Sequence, residues 1–173
     1  MTVKSPQWFE EMRFFTPTGV TKFDMDYPMI ISVGASYRGI QDWVFAVDAR
    51  YHDFKNTDGF RELGWSNVFA GAVGAQKRLN DCLSVRFGYN FNQTPIQDGD
   101  VFTNVAVPLI QDHNISAGAS ALLADCVELN LAYIYLVENS VTGPLPAGIF
   151  GANASLSNQI SAHSLAAGIR VRY

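Results

Sequence analysis

The sequence predicts an all-β protein, namely a portion of an antiparallel, up-and-down transmembrane β-barrel. Three observations favour this fold: apolar and polar residues alternate along seven segments, long and short connections alternate between them, and aromatic residues recur near the segment ends. Period-two alternation is typical of strands with two different faces. Loops that are long at one end and short at the other are typical of outer-membrane barrels.

The composition excludes several classes of protein. Charged residues make up 16% of the 173 residues, against roughly 25% in a soluble domain. The net charge of −4 and the lack of a basic cluster argue against a nucleic-acid partner. The sequence contains no run of 18 apolar residues, so it predicts no membrane helix. The opening stretch MTVKSPQWFEEMRFF has no apolar core, so we expect no signal peptide in it.

Seven segments alternate in this way, and we expect residues 27–173 to form a meander of seven strands. They read YPMIISVGASYR, DWVFAVDARYH, WSNVFAGAVGAQKR, CLSVRFGYNFN, HNISAGASALLA, CVELNLAYIYLVEN and HSLAAGIRVRY. In the third segment the phase is ambiguous, and we expect Phe69, Val73 and Ala75 to face outward. Residues 1–26 are expected to form an N-terminal extracellular loop or a partial strand. Trp8–Phe15 is a poor eighth strand because one of two consecutive glutamates would face lipid.

The connections between these segments alternate in length without exception. The short ones are residues 39–42, 79–81 and 124–125, and the long ones are residues 53–64, 93–112 and 140–162. We therefore expect short periplasmic turns and long extracellular loops.

Aromatic side chains are expected to form two girdles on the lipid face, one at each membrane interface. The candidates are Tyr37, Trp43, Tyr51, Trp65, Tyr89, Phe91, Tyr135 and Tyr173. The alternative is that aromatic residues are common in strands of any kind.

Polar side chains on the opposite face are expected to line the lumen. The candidates are Asp48, Arg50, Arg86, Asn90, Glu128, Asn130, Arg170 and Arg172. Two interpretations stay open: these groups pair across strands and with a plug, or they handle the carboxylate of a cargo molecule.

Catalytic, metal and cofactor sites are not predicted. His113 follows Asp112 and Ser164 follows His163, but neighbours on a strand point to opposite faces. No zinc spacing or phosphate-binding motif is present. Cys82 and Cys126 each open a strand, about 10 Å apart across one intervening strand, so we expect free thiols.

Several ordered motifs resemble the C-terminal half of FadL/TodX-type outer-membrane transport proteins. The first is FDMDYPMIISVGASYRGIQDWVFAVDARYHDF, and the second is LSVRFGYNFNQTPIQDGDVFTNVAVPLIQDHNISAGAS. Beside residues named above, the positions that carry the resemblance are Pro28, Gly34, Gly88, Pro95, Asp98, Pro108, His113 and Gly118.

The resemblance implies a 14-stranded barrel with an N-terminal hatch in the bacterial outer membrane. Such proteins move long-chain fatty acids or other hydrophobic molecules, so the implied partners are outer-membrane lipid and a hydrophobic cargo. The aromatic end at Tyr173 resembles the signal read by the barrel-assembly machinery. The hatch, a signal peptide and the first half of the barrel are absent from this sequence.

An odd number of strands predicts an open sheet, because single-chain bacterial barrels have even numbers. We therefore expect the chain to be a gene fragment or to have a misassigned start. Two other functions remain: a structural or adhesive outer-membrane barrel whose loops bind partners, and a soluble β-sandwich binding module.

Overall fold

One antiparallel sheet of eight strands dominates the computed structural model, which describes residues 1–16, 19–105, 109–124, 126–151 and 153–171. Its strands, in spatial order, are β1 (Thr2–Lys4), β4 (Ile30–Tyr37), β5 (Trp43–His52), β6 (Val68–Arg78), β7 (Leu83–Asn92), β8 (His113–Ala124), β9 (Val127–Pro144) and β10 (Ser155–Val171). A separate hairpin joins β2 (Met12–Thr16) and β3 (Gly19–Phe23). Two short turns are helical, at Asp98–Asp100 and Ala147–Phe150.

The main sheet is an open meander, which confirms the predicted fold class. Strands β4 to β10 pair in chain order, and β1 and β10 form opposite edges. The eighth strand is Thr2–Lys4, which pairs with residues 30–32, and it is not Trp8–Phe15. The Trp8–Phe15 segment makes other contacts. The Phe9 amide donates to Asp26 Oδ1 at 2.9 Å, and Met12–Thr16 pairs with β3. No helix in the described residues is long and apolar enough to cross a bilayer.

The strand register gives the sheet two unlike faces. On one, called here the outer face, each row is largely apolar, as in the row that runs through Tyr37, Phe45, Ala75, Phe87, Ala117, Tyr133 and Leu165. Large side chains on it are exposed, with 63% for Phe87 and 84% for Leu165. A β-sandwich would cover such a face with a second sheet. The only other sheet in the described ranges is the β2–β3 hairpin, so the described residues do not form a β-sandwich.

The connections confirm the predicted alternation in length but correct one loop. Residues 38–42, 79–82 and 125–126 join strands at the short-turn end, where Arg78 donates two hydrogen bonds to Asp42 at 2.7 and 2.9 Å. The predicted long loop 140–162 is wrong. Strand β9 continues to Pro144 and β10 begins at Ser155, so the two extend as a ribbon beyond the other strands.

A β-bulge changes the direction of the side chains in this ribbon. Leu136 lies opposite Ala162, whereas Asn139 lies opposite Ile160, so β9 carries one extra residue at Val137–Glu138. An extra residue in one strand shifts its alternation by one. Odd-numbered residues of β9 face outward below the bulge and inward above it, which turns Val141 toward the loops.

The long loops and the ribbon enclose a hydrophobic core, called here the cap. Its members are Trp65, Ile96, Val101, Ile110 and Val141, packed against the partly buried Phe54, Phe60, Leu63, Leu156 and Ile160. The loop that contains Asp98 and Val101 passes so close to Gly143 that any side chain there would collide with it. The cap is therefore built from three connections that are distant in sequence.

Trp65 is the centre of the cap, and its assignment to the aromatic girdle is wrong. It is only 5% exposed, and Phe54 and Phe60 contact its ring with centroids 5.1 and 4.7 Å away. Its indole Nε1 donates to Asn104 Oδ1 at 2.5 Å. The buried Asn104 in turn donates to the carbonyl oxygens of Leu63 at 2.9 Å and Asp100 at 2.8 Å. Trp65 lies in a loop, where side chains do not alternate between two faces. The strand alternation that assigned the girdle residues therefore could not place it.

We expect Asn104→Ala to loosen the cap, because it leaves the Trp65 indole and the Leu63 carbonyl without partners. An unpaired buried polar group costs about 1–3 kcal/mol. The Trp65 amide donates to Phe60 O at 3.0 Å. Its hydrogen exchange should accelerate by the factor by which this loss of free energy increases opening of the cap. Thr94→Ala is the control, since it removes an exposed side-chain bond to Leu109 O in the same loop. Equal exchange in both variants would contradict the role of Asn104.

Candidate functional site

The inner face of the sheet carries nearly all of the polar residues singled out in the sequence. The register places Asp48, Arg50, Arg86, Asn90, Glu128, Asn130 and Arg170 on this one face, while Arg172 lies outside the described residues. Their shared face follows from period-two alternation within paired strands. That this face lines a lumen stays a prediction.

Arg86 is the centre of a hydrogen-bond network across four strands. Its Nε donates to Gln76 Oε1 at 2.9 Å and its Nη1 donates to Ser120 Oγ at 2.6 Å. The Ser120 hydroxyl, which is buried, donates onward to Asn130 Oδ1 at 2.5 Å. Among the described residues Arg86 has neutral acceptors and no ion pair within 4 Å. Within the described ranges, no carboxylate is therefore close enough to compensate this positive charge.

A pair of opposite charges lies nearer the short-turn end of the same face. Arg170 Nη1 stands 3.7 Å from Glu128 Oε2, and Glu128 is only 9% exposed. A polar hollow of about 300 Å³ runs between this pair and Arg86. Glu128 and Arg170 thus lie opposite each other on paired strands, whereas the acceptors described around Arg86 are neutral. Both interpretations of the polar set stay open.

Above Arg86 the inner face opens into a shallow hollow of about 470 Å³. Small residues form most of it, namely Gly88, Ser116, Gly118, Ala132, Ala166 and Gly168. Arg86 and Asn130 stand at its edge. An apolar surface bordered by one cationic group suits a hydrophobic molecule with or without a carboxylate.

The residues that carry the resemblance to FadL/TodX-type proteins have different structural roles. Gly34 leaves the space that Asp48 occupies, since a side chain there would overlap the carboxylate. Pro28 is buried before β4, and Pro95 is fully buried beside the cap. The Asp98 backbone carbonyl approaches Gly143. Pro108 lies outside the described residues.

The outer face carries the aromatic residues predicted for the girdles. Tyr37, Trp43, Tyr51, Tyr89, Phe91 and Tyr135 all lie on it, and Tyr173 lies outside the described residues. Trp43 and Tyr51 are eight residues apart, as are Leu83 and Phe91, which corresponds to about 27 Å of strand. That length suits an apolar band of about 25 Å between two interfaces. The lipid contact itself stays a prediction.

Sequence reasoning missed two tyrosine–histidine pairs at the long-loop end of this face. The hydroxyl of Tyr89 shares a hydrogen bond of 2.7 Å with His113 Nδ1, and Tyr133 does the same with His163. His163 also stacks on Tyr135 with ring centroids 4.8 Å apart. The odd numbers of both histidines place them in the outward phase of their strands, so the alternation already contained this signal.

One carboxyl at the long-loop end has a raised pKa, and two free thiols lie at the short-turn end. Burial raises the pKa of the Asp112 carboxyl, and the neighbouring His113 and Asn139 oppose that shift. Within these residues no group of three metal-ligating side chains converges. Cys82 and Cys126 are exposed, free thiols at the short-turn end.

Comparison with known proteins gives a clear match in structure. No family model and no curated protein matches the sequence. The Pseudomonas putida toluene transporter TodX superposes with a TM-score of 0.55 at 16% identity, covering 87% of this chain and 37% of TodX. The chain has the fold of a TodX-type barrel wall. A TodX monoaromatic hydrocarbon channel with the ΔS2 mutation gives a TM-score of 0.62 at 13% identity, covering 94% of this chain and 42% of that one.

A FadL homologue from Pseudomonas aeruginosa gives a TM-score of 0.57 at 13% identity, covering 87% of this chain and 36% of that one. This chain therefore spans about two fifths of the length of the structures it matches. The match confirms, at the level of fold, the resemblance to FadL/TodX-type proteins and the open sheet expected for a portion of a barrel.

We expect Ser120→Val to destabilise the sheet, because it removes the acceptor of Arg86 and the donor to Asn130. Loss of both bonds from a buried position should lower the free energy of unfolding by about 1–3 kcal/mol. Ser84→Val is a matched control, since Ser84 lies directly opposite Ser120 on β7. Urea unfolding in detergent compares the two variants, and a larger loss for Ser84→Val would contradict the network.

Proposed function

We propose that this chain forms part of the wall of an outer-membrane barrel that takes up hydrophobic molecules. The observation that carries the proposal is the two-faced open sheet, with an apolar exposed outer face and a polar inner face. Strands of this kind are stable in a bilayer only when a closed barrel satisfies every backbone group. The structural likeness to TodX and a FadL homologue supports transport as the activity of the whole barrel.

The inner hollow beside Arg86 is the proposed contact surface for the cargo. Its glycine and alanine residues leave room along the wall, and their apolar surface gains free energy when a hydrocarbon displaces water. The uncompensated Arg86 guanidinium would attract a carboxylate end if the cargo has one. Hydrophobic aromatic compounds and long-chain fatty acids both satisfy this description.

The cap gives the proposed barrel an ordered entrance at its extracellular end. Its apolar residues are contributed by the long loops and by the inward side of the β9–β10 ribbon. A cargo arriving from outside would meet the cap before the inner hollow. We also propose that the barrel-assembly machinery recognises the last strand.

A transport role predicts that filling the inner hollow slows uptake. Ala132→Phe should lower the initial rate of toluene and oleate uptake several-fold in vesicles that contain a barrel closed by this chain. Ala132 faces the hollow, whereas Ala75 faces outward between Phe45 and Phe87, so Ala75→Phe is the control. Unchanged uptake in Ala132→Phe would favour a structural or adhesive barrel instead.

The proposed orientation predicts which positions an impermeant maleimide labels on intact cells. Gly99→Cys and Gly148→Cys should react in a background without native cysteines, because both positions lie in long connections with open space around them. The native Cys82 and Cys126, exposed at the short-turn end, should react only after the cells are broken. Reversed labelling would overturn the orientation.

A further inference from the structure

The outer face contains a hollow of about 560 Å³ across β8, β9 and β10. The outward residues that line it are Ala117, Ala119, Leu131, Tyr133, Leu165 and Ala167. The three alanines leave space close to the backbone, and Leu131, Tyr133 and Leu165 project around it. An elongated apolar group of the width of a hydrocarbon chain fits a surface of this composition.

A polar pair stands at the long-loop end of this hollow. Tyr133 lines the hollow, and its hydroxyl shares the 2.7 Å hydrogen bond with His163 Nδ1. When the neutral imidazole accepts at Nδ1, its Nε2 carries the remaining proton and can donate. His163 is exposed, so Nε2 can reach a group outside the sheet. The hollow therefore has an apolar body and a hydrogen-bond donor at one end.

His163 lies at the level of the upper aromatic residues. It pairs across strands with Tyr135, and that row continues to Ile115 and Tyr89. It is eight residues from Val171 at the short-turn end, the same interval that separates Trp43 from Tyr51. Aromatic residues of a membrane barrel mark the level of the lipid headgroups.

From this geometry we infer that the outer hollow binds one acyl chain of a membrane lipid and that His163 donates a hydrogen bond to its phosphate. The inference rests on the membrane placement proposed above, and it assigns a ligand to the outer face, which the transport proposal does not use. The charges are complementary: a protonated imidazole is a cation and a lipid phosphate is an anion. The Tyr133 hydroxyl holds the ring in place.

His113 provides a comparison within the same chain. It makes the same 2.7 Å hydrogen bond with Tyr89 and contacts Phe91 at a centroid distance of 5.4 Å. Neither Tyr89 nor His113 lines the outer hollow. Asp112 lies beside His113 and interacts with it electrostatically, whereas Tyr133 and Tyr135 are the titratable groups against His163. His52 lies on the inner face and serves as a second comparison.

The test measures the titration midpoint of each histidine by NMR with ¹³C-labelled imidazole. A barrel closed by this chain is kept in dodecyl maltoside micelles, which offer an acyl chain but no phosphate, and lysophosphatidic acid is then added. We expect the midpoint of His163 to rise by about half a pH unit more than that of His113, a roughly threefold difference in proton affinity. Inorganic phosphate at the same concentration should leave His163 unchanged, because it lacks the chain.

Two variants distinguish binding of the lipid in the outer hollow from a general effect of negative charge at the micelle surface. Ala119→Leu fills the hollow without touching the histidine, and it should abolish the extra shift of His163. Ala75→Leu adds the same atoms to the outer face away from the hollow and should preserve the shift. Equal shifts for His113 and His163, an effect of inorganic phosphate alone, or persistence of the shift in Ala119→Leu would each overturn the inference. Coincident signals for all three histidines would overturn it as well, because the folded sheet gives each a different environment. Uptake through the inner face depends on none of these results.

Discussion

The hydrogen-bond ladder of the main sheet is the constraint on which the rest of the structure depends. Each backbone amide and carbonyl of a strand requires a hydrogen-bond partner, and β4 to β10 supply these partners by pairing continuously in chain order. Continuous pairing fixes the alternation of side chains, and alternation separates two chemical environments by the thickness of one sheet. The hydrogen-bonded Arg86 and the stacked His163 can therefore belong to one wall without influencing each other.

Small side chains make room on both faces of this wall. Gly118, Ala132 and Ala166 border both the inner and the outer hollow. The wall there is little more than the backbone itself, yet the pairing of β8 with β9 and of β9 with β10 is unbroken across it. The strand ladder is what keeps the two hollows separate, and this is why small residues can widen both surfaces without opening a hole.

Most of the sheet could be predicted from the sequence because strand alternation is a local property. The phase of Phe69, Val73 and Ala75 was read correctly from their own segment, and the register confirms it. The cap could not be predicted in this way, since Trp65, Asn104 and Val141 come together only when two long loops fold against the β9–β10 ribbon. The bulge near Glu138 shows no local pattern either. Beyond it, β9 and β10 continue to pair through residues that the sequence analysis assigned to a loop.

The sequence predicted the polar candidates more easily than their pairing. Strand parity placed seven of them on one face, but parity does not say that Arg86 meets Gln76 and Ser120 whereas Arg170 meets Glu128. Those partners depend on the register between strands, which is set by turns and by cross-strand packing. The histidines were missed for another reason: residue type suggested chemistry, while their position on the outer face suggests an interface.

The bulge between Leu136 and Asn139 also isolates one part of the chain from another. Below it, the side chains of β9 follow the rows that cross the whole sheet. Above it, β9 pairs with β10 alone and its alternation is shifted by one residue, whereas β10 keeps its own alternation. Changes in the length of the 145–154 connection are therefore absorbed in the ribbon and do not propagate into the rows beneath. The loop end of the ribbon can therefore vary in length in evolution while the rows that cross the whole sheet keep a single register.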